Sequence, residues 1–244
     1  MIFNLKNREE FLTNFLAPVS RVADSAVLKL TPNKVSAIIT TSDNTLVVYL
    51  EYTNIGFESQ KNLNIPDVKK LCRVLSCIEE SSCDLDVSLN NISYTSSDVK
   101  FKYHLYEDNI IKTSKQINFD KLADMPYDGR FTISHISLGS LIKGSSIATE
   151  TNKIYLSFKD GDVYGELTDK SRANTDSYGI KISTDFTGEQ INLHIPLNFE
   201  LFRIISSVKF KTLAVDIASK RGLLILTSDT DNTKIKFIAS ALQN

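Results

Sequence analysis

The chain has 244 residues, enough for two domains of about 100–150 residues each, and its 42% hydrophobic and 23% charged residues are typical of globular proteins with a sizeable core. No apolar run reaches the roughly 18 residues of a membrane-spanning helix, and the first residues lack the apolar block and cleavage site of a signal peptide. The net charge of −1 excludes a broadly basic nucleic-acid coat, so any DNA contact must come from locally sorted charge.

The first predicted element with a clear period is a helix whose apolar stripe comprises Phe11, Leu12, Phe15, Leu16, Val19 and Val22. Because Pro18 removes a backbone hydrogen bond inside this pattern, we expect the helix to bend there or to end near Ala17. Two strands are predicted next, over residues 26–30 and 35–40, joined by a turn at Pro32-Asn33-Lys34.

A second helix is predicted to begin at Pro66, which suits a first helical turn because its missing N–H costs nothing there. Its apolar stripe comprises Val68, Leu71, Cys72, Leu75 and Ile78. A half-buried strand follows, in which Leu85, Val87 and Leu89 alternate with polar residues. Three cysteines form no C-x-x-C pair and are too few for a disulfide framework, so we expect Cys72, Cys77 and Cys83 to be buried thiols in a reducing compartment.

This helix-and-strand unit recurs 130 residues later. The identical pairs are Pro66/Pro196, Leu71/Leu201, Arg73/Arg203, Ser76/Ser206 and Asp86/Asp216. The preceding helix, strand, turn and strand also recur, from Leu138 through a turn at Lys159-Asp160-Gly161 to Leu167. Each half is predicted to run strand, helix, three strands, helix, three strands. This order indicates an α+β fold in which antiparallel sheets pack against two helices on one face.

The boundary between the halves is predicted from composition. The last strand of the first copy is placed at residues 109–117, and the turn-rich segment that follows contains Pro126 and Gly129. We therefore predict a first domain over 1–117, a connector over 118–130 and a second domain over 131–244.

Catalytic chemistry finds little support in the sequence. The histidines His104, His135 and His194 are far apart and form no metal-binding pattern, so we expect them at strand edges or on the surface. Residues 139–146 contain glycine, lysine and serine, but not in the order of a phosphate-binding loop. We predict no catalytic residue, no metal and no cofactor.

The positive charges are more informative. On the second helix Lys69, Lys70 and Arg73 lie opposite the apolar stripe, and Arg203 repeats Arg73 at the same helical phase. Such helix faces could contact phosphates without reading bases. The predicted DNA-binding residues are Arg21, Lys69, Lys70, Arg73, Lys143 and Arg203. The alternative is that these residues are only the solvated faces of surface helices.

Several segments carry a family resemblance that spans essentially the whole chain. The turn Lys159-Asp160-Gly161 followed by Gly165-Glu166-Leu167, and the segment 179–183, resemble the second domain of DNA sliding clamps of the proliferating-cell-nuclear-antigen type, which are polymerase processivity factors. The segment from Asn64-Ile65-Pro66 to Arg73 resembles the clamp helix that bears DNA-facing basic residues. The abundance of Lys, Asn and Ile is similar to that of tailed-phage clamps, which favours a viral origin.

The resemblance implies a clamp that encircles double-stranded DNA without sequence preference and tethers the replicative DNA polymerase. It implies a non-enzymatic homotrimeric ring that an ATP-dependent clamp loader places on DNA, in the host cytoplasm or nucleoid for a phage protein and in the nucleus for a eukaryotic one. Residues 109–117 of one subunit would pair antiparallel with 177–184 of the next. The implied interface residues are Ile111, Lys112, Thr113, Lys115, Ile117, Tyr178, Ile180 and Ile182.

The resemblance also implies an apolar pocket under the connector in which partner peptides dock. The matching positions are Leu46, Leu122, Met125, Pro126, Phe237, Ile238 and Ala239. At Arg221-Gly222 the sequence departs from the apolar residue and proline common in the family, which leaves peptide specificity open. Three other functions remain: a monomeric or dimeric viral processivity factor of the same fold, a structural β-rich assembly protein, and an enzyme with a dispersed site.

Overall fold

The computed structural model describes residues 1–111, 117, 119–172, 174–189, 191 and 194–242, without the side chains of residues 120 and 123. Its internal contacts divide the chain into two compact units. Unit 1 comprises Met1–Ser42, Val48–Gln116 and Asp229–Ile235, and unit 2 comprises Asp43–Val47, Ile117–Ser228 and Lys236–Asn244. Within the described part of the chain, no helix has both the length and the apolar composition needed to cross a membrane.

Over residues 1–111 the chain forms two helical stretches and nine strands. In order these are β1 (Ile2–Leu5), α1 (Arg8–Phe11), a π-helical turn (Leu12–Leu16), α2 (Ala17–Val22), β2 (Ala26–Thr31), β3 (Lys34–Thr40), β4 (Leu46–Tyr52), β5 (Ile55–Gly56), β6 (Lys61–Ile65), α3 (Val68–Ser76), β7 (Cys83–Val87), β8 (Asn91–Thr95) and β9 (Lys100–His104). The predicted order of elements is correct except between the helices, where β5 and β6 add to the three strands expected.

Antiparallel sheets in unit 1 are built on period-two burial. One sheet has the strand order β5-β1-β7-β8-β9, and β4-β3-β2-β6 follow one another in a second. In β3 the side chains of Val35, Ala37 and Ile39 are buried while those between them are partly exposed. One face of each strand therefore supplies the core against which the helices pack.

The first helical stretch runs through Pro18, where we expected a bend or an end. The N–H of Ala17 donates to the carbonyl oxygen of Leu12, five residues back, so a wider π-type turn lies directly before the proline. Pro18 then takes the second position of α2, where an N–H has no partner inside that segment. The missing donor is thus tolerated, and the helix continues to Val22.

The second half of the chain repeats this plan. Its elements are α4 (Phe119–Ala123), β10 (Gly129–Ser134), α5 (His135–Gly144), β11 (Lys153–Lys159), β12 (Asp162–Leu167), β13 (Tyr178–Ser183), β14 (Thr187–Gly188), β15 (Ile195–Asn198), α6 (Glu200–Ser206), β16 (Thr212–Ala218), a 3-10 turn (Ser219–Arg221), β17 (Leu223–Asp229) and β18 (Thr233–Ser240). The strands follow the orders β13-β12-β11-β15 and β14-β10-β16-β17-β18.

Strand register shows that the two halves are copies of one design. Phe3 of β1 lies opposite Leu85 of β7, and Phe131 of β10 lies opposite Val215 of β16. All four side chains are at most 2% exposed, so equivalent positions fill equivalent places in each core. The predicted α+β architecture, with two tandem units of antiparallel sheets backed by helices, is confirmed.

Local details near the helix starts differ from the prediction. Helix α3 begins at Val68, because the side chain of Asp67 caps it by accepting a hydrogen bond from the Lys70 N–H at 2.7 Å. Pro66 therefore precedes the cap and does not lie in the first turn. Its partner in the repeat, Pro196, lies inside β15.

The strand predicted over residues 109–117 is wrong where the structure describes it. Residues 109–111 form a turn and a bend, and Asn109 has a φ of 69°, in the left-handed region that ends an extended strand. Residues 112–116, including Lys112, Thr113 and Lys115, lie outside the described residues. At the other end of the predicted connector, β10 already begins at Gly129.

The cysteine prediction is correct for one thiol of three. Cys83 is buried, Cys72 is partly exposed and Cys77 is exposed at the C-terminal end of α3. Burial raises the pKa of the Cys83 thiol to about 11, which makes it a poor nucleophile at neutral pH.

Candidate functional site

The basic residues of unit 1 lie on the outward faces of α2 and α3. In α3 the side chains of Val68, Leu71 and Leu75 are buried. Lys70 and Arg73 are exposed, and in the described part of the chain neither forms an ion pair. The 3.6-residue period therefore leaves two uncompensated cations opposite the buried stripe.

A polar cleft of about 480 Å³ joins these helices. Arg21, at the end of α2, and Lys69, in the first turn of α3, both line it. Asp24 lies between them in sequence and forms an ion pair with Lys69, with Nζ and Oδ1 2.9 Å apart. Arg21 forms no ion pair with a described residue, whereas the charge of Lys69 is partly offset by Asp24.

The two predicted DNA-binding residues of unit 2 differ: Lys143 forms no ion pair with a described residue, whereas Arg203 is paired. Lys143 is exposed near the end of α5, whose Leu138 and Leu141 are buried. Arg203 of α6 is held by Glu200 at 3.2 Å, by the side-chain oxygen of Asn152 at 3.0 Å and over the ring of Phe199 at 5.0 Å. The guanidinium of Arg203 is thus less available than its repeat partner Arg73.

The connector helix α4 and the residues after it lie on the face of unit 2. Met125 packs against Ala218 and Ile225, with Leu122, Tyr127 and Leu223 around them. The Lys236 ammonium lies 5.5 Å from the centre of the Phe119 ring. Tyr127 donates a hydrogen bond of 2.5 Å to the carbonyl oxygen of Leu122 and closes this small apolar cluster.

The predicted pocket residues do not share one surface. Leu46, Phe237 and Ala239 are at most 3% exposed, because alternate side chains of β4 and β18 point into the core. Ile238 is half-buried on the opposite face of β18, and Pro126 is exposed. Met125 and Leu122 are brought together, as described above.

A small apolar cavity of about 110 Å³ opens beside this cluster, at residues that sequence reasoning did not single out as pocket residues. Its lining comprises His194, Ile195, Pro196, Ser219, Gly222, Leu223, Leu224 and Ala241. One feature of the sequence pointed to this place: Arg221-Gly222, which differs from the family's apolar residue and proline, lies at the edge of the cavity.

The wall of this cavity is fixed by an aspartate at the end of the connector. The Asp128 carboxylate accepts a hydrogen bond from the Ser219 N–H at 2.6 Å and another from the Ser219 hydroxyl. The hydroxyl bond is the main cause that lowers the pKa of Asp128, while its partial burial acts in the opposite direction. Since Asp128 is part of the chain that leads out of the connector, connector and cavity are held together.

Strand β13 lies at one end of its sheet in the described part of the chain, with β12 on its inner side. Ile182 is 2% exposed and contributes to the core, whereas Tyr178 and Ile180 are partly exposed. Of the other predicted interface residues, Ile111 and Ile117 are described and are half-buried. An edge strand with unpaired backbone groups is a template for pairing with another chain.

Gly144 brings α5 into close contact with β13. A Cβ at this position would overlap the ring of Tyr178. We expect Gly144→Ala to lower the free energy of unfolding by about 1–3 kcal/mol, measured by urea denaturation, because the ring must move. Gly139→Ala in the same helix is the control, since a Cβ there has no neighbour within 4 Å. It should be neutral or stabilising by up to about 1 kcal/mol, and equal losses in both variants would contradict the steric argument.

The three histidines lie in different parts of the chain. His104, His135 and His194 are all exposed; the first lies on β9, the second begins α5 and the third lies in the loop before β15. Across the described ranges, no three His, Cys, Asp or Glu side chains are grouped so that they could hold a metal ion.

Comparison with known proteins shows what this fold is similar to. No protein-family model matches the sequence, and no curated relative matches it either. The A. fulgidus PCNA, solved with the C-terminal region of FEN-1 bound, superposes with a TM-score of 0.79 and 11% identity, covering 100% of this chain and 99% of that one. The PCNA of Entamoeba histolytica gives 0.76 and 12%, covering 99% and 98%.

A bacterial clamp is similar as well. The DNA polymerase III beta subunit of Thermotoga maritima gives a TM-score of 0.71 and 13% identity, covering 100% of this chain and 66% of that one. The chain therefore has the sliding-clamp fold over its whole length, as the resemblance implied.

Proposed function

We propose that this chain is a sliding clamp: three copies close into a ring around duplex DNA and tether the replicative polymerase to it. The observation that carries the proposal is the position of the uncompensated cations. Arg21, Lys70, Arg73 and Lys143 are exposed on helices, opposite the residues those helices bury. In a sliding-clamp fold this arrangement suits contact with phosphates on DNA of any sequence.

The proposed chemistry is non-covalent. Encirclement gives long residence on DNA without tight contacts, and a few exchangeable phosphate contacts permit sliding. An ATP-dependent loader would open and close the ring, and the clamp itself would catalyse no reaction. It would act wherever the DNA is replicated, in the cytoplasm or nucleoid of a host cell for a phage protein.

Partner recruitment is proposed at the connector side of unit 2. The apolar cluster around Met125 and the cavity beside Leu223 form an apolar surface on unit 2, supported by the Asp128–Ser219 hydrogen bonds. A. fulgidus PCNA binds the C-terminal region of FEN-1, which supports a peptide tail as the occupant here. The proposed domain limits remain 1–117 and 131–244, joined by the connector 118–130.

Primer extension on a long, singly primed circular template tests the function. With the cognate polymerase and loader, adding this protein should lengthen the products made in a single binding event by roughly tenfold or more. A linear template with free ends is the matched control, because a ring slides off it. Equal stimulation on both templates would contradict encirclement and favour a processivity factor that forms no ring.

A further inference from the structure

The rim of the small cavity in unit 2 carries two adjacent cations. The lining residues Ser219 and Gly222 are separated by Lys220 and Arg221, which are both exposed in a short 3-10 turn. A third lining residue, His194, is exposed. An apolar cavity thus has a basic edge.

The backbone of this turn is held from both sides. The Asp128 carboxylate binds the Ser219 N–H, and the carbonyl oxygen of Gly222 accepts a hydrogen bond of 2.7 Å from the Ala241 N–H. Gly222 itself has a φ of 60°, a conformation that glycine adopts without strain. The two cations therefore project from a fixed loop rather than from a chain that must be ordered on binding.

Acidic groups near the turn offset its charge only in part: the nearby Lys220 ammonium is one of the smaller causes that lower the pKa of Asp128, after the Ser219 hydroxyl. Asp128 is engaged by Ser219, and Asp216 pairs with Arg130 at 2.5 Å. Glu189 is exposed and joins this region through its N–H, which donates to the Asp128 carbonyl oxygen, but it is not part of the cavity lining. Within the part of the chain that the structure describes, neither Lys220 nor Arg221 forms an ion pair.

The size of the cavity limits what can enter it. Its volume of about 110 Å³ is below the roughly 300–1,000 Å³ of small-molecule sites, and it suits a single aliphatic side chain. An anchor of this kind belongs to a longer peptide that continues past the rim. The residue next to the anchor must then pass the two cations.

We propose that the partner peptide carries an aspartate or glutamate next to its aliphatic anchor, and that this carboxylate pairs with Lys220 and Arg221. The proposal rests on the proposed function, since it presumes that a peptide docks here. In this proposal Arg221-Gly222, which replaces the apolar residue and proline common in the resembling family, helps to select partners by charge complementarity.

Matched synthetic peptides test this specificity. The probes are fluorescein-labelled decapeptides with blocked C-termini and a varied apolar core around one leucine, each made with Glu, Gln or Lys beside that leucine. At 50 mM salt the Glu version should bind about three- to tenfold more tightly than the Gln version, and the Lys version more weakly than either. The difference should shrink at 0.5 M salt because exposed charges are screened.

Charge reversal separates recognition from folding. Lys220→Glu/Arg221→Glu should make the Lys version the tightest, whereas Lys209→Glu/Lys211→Glu, which changes two other exposed lysines of unit 2, should leave the order unchanged. Leu223→Arg, which blocks the cavity, should abolish binding of every version. If Leu223→Arg abolishes binding but the Glu, Gln and Lys versions bind equally to the parent protein, the charge proposal is overturned and the docking site stands. If no peptide binds, or Leu223→Arg changes nothing, the docking site itself is overturned.

Discussion

Replacing Lys70, Arg73 and Lys143 together with alanine is expected to weaken binding to duplex DNA by roughly an order of magnitude or more at low salt. All three side chains are exposed, lie opposite buried helix faces and form no ion pair with a described residue. The loss should be the same on unrelated sequences, because phosphate contacts do not read bases. The log–log salt slope should become shallower by about 0.9 for each phosphate contact removed.

The measurement is fluorescence anisotropy on duplexes of two sequences, with blocked ends so that a ring cannot slide off. The matched control is Lys100→Ala/Lys102→Ala/Lys159→Ala, which removes three exposed lysines from strands β9 and β11. Lys181 is unsuitable as a control because it pairs with Asp162 and lies on β13. If the strand set weakens DNA binding as much as the helix set, the helix cations are only solvated surface charges and the encirclement geometry is wrong.

The second large effect is expected at β13, where a proline should dissociate the proposed ring. Antiparallel pairing of the outer edge of this strand with an edge strand of a neighbouring subunit is the proposed subunit contact. Successive N–H groups of a strand point alternately to its two sides. Of the variants Ile180→Pro and Lys181→Pro, one therefore removes an N–H that points away from the sheet, and the other removes an N–H that points toward β12. The variant that loses the N–H pointing away from the sheet should raise the dissociation constant of the assembly by roughly tenfold or more. It should leave the midpoint temperature of subunit unfolding nearly unchanged.

Analytical ultracentrifugation over a concentration series gives the assembly state, and calorimetry gives the midpoint. Ile180→Val and Lys181→Ala are the controls, since both keep the backbone N–H. Lys181→Ala also removes the ion pair with Asp162, so it separates the loss of that pair from the loss of the N–H. The parent protein should sediment as a trimer. A parent protein that remains monomeric at high micromolar concentration would remove the basis of the closed ring and favour a non-ring processivity factor.

The elements that could be predicted from sequence are those whose signal is local and periodic. Helix α3 and strand β7 follow from the spacing of Leu71, Leu75, Leu85 and Val87, all of them buried. The repeat was visible because the same spacing returns in α6 and β16. Even there, the exact start of α3 depended on the Asp67 cap, which outweighs the preference of Pro66 for a first turn.

The candidate docking site was less predictable, because it is assembled from distant segments. Leu46, Phe237 and Ala239 are apolar in sequence, but β4 and β18 point them into the core. The cavity instead joins residues near 194, 220 and 241, and no local pattern links these positions. The hydrogen bond between Asp128 and Ser219 joins residues that are distant in sequence and meet only in the folded chain, so it could not be predicted from local sequence.

The π-helical turn at Leu12–Leu16 has a consequence for the direction of a cation further along the helix. In an uninterrupted α-helix, with about 100° per residue, Val19 would lie about 80° around the axis from Phe11, and Arg21 about 80° to the other side. A π turn absorbs one additional residue, which rotates everything after it back by about 100°. Val19 then falls within about 20° of Phe11, in agreement with their exposures of 0% and 1%.

The same rotation carries Arg21 to about 180° from Phe11, so that it projects away from the buried side and is exposed. The direction in which this guanidinium projects from the helix is therefore set by the π-helical turn several residues earlier and not by Arg21 itself. A single-residue deletion within Leu12–Leu16 that restored a regular α-helix would keep both orientations, whereas a deletion after Pro18 would swing Arg21 by about 100° while leaving its chemistry untouched.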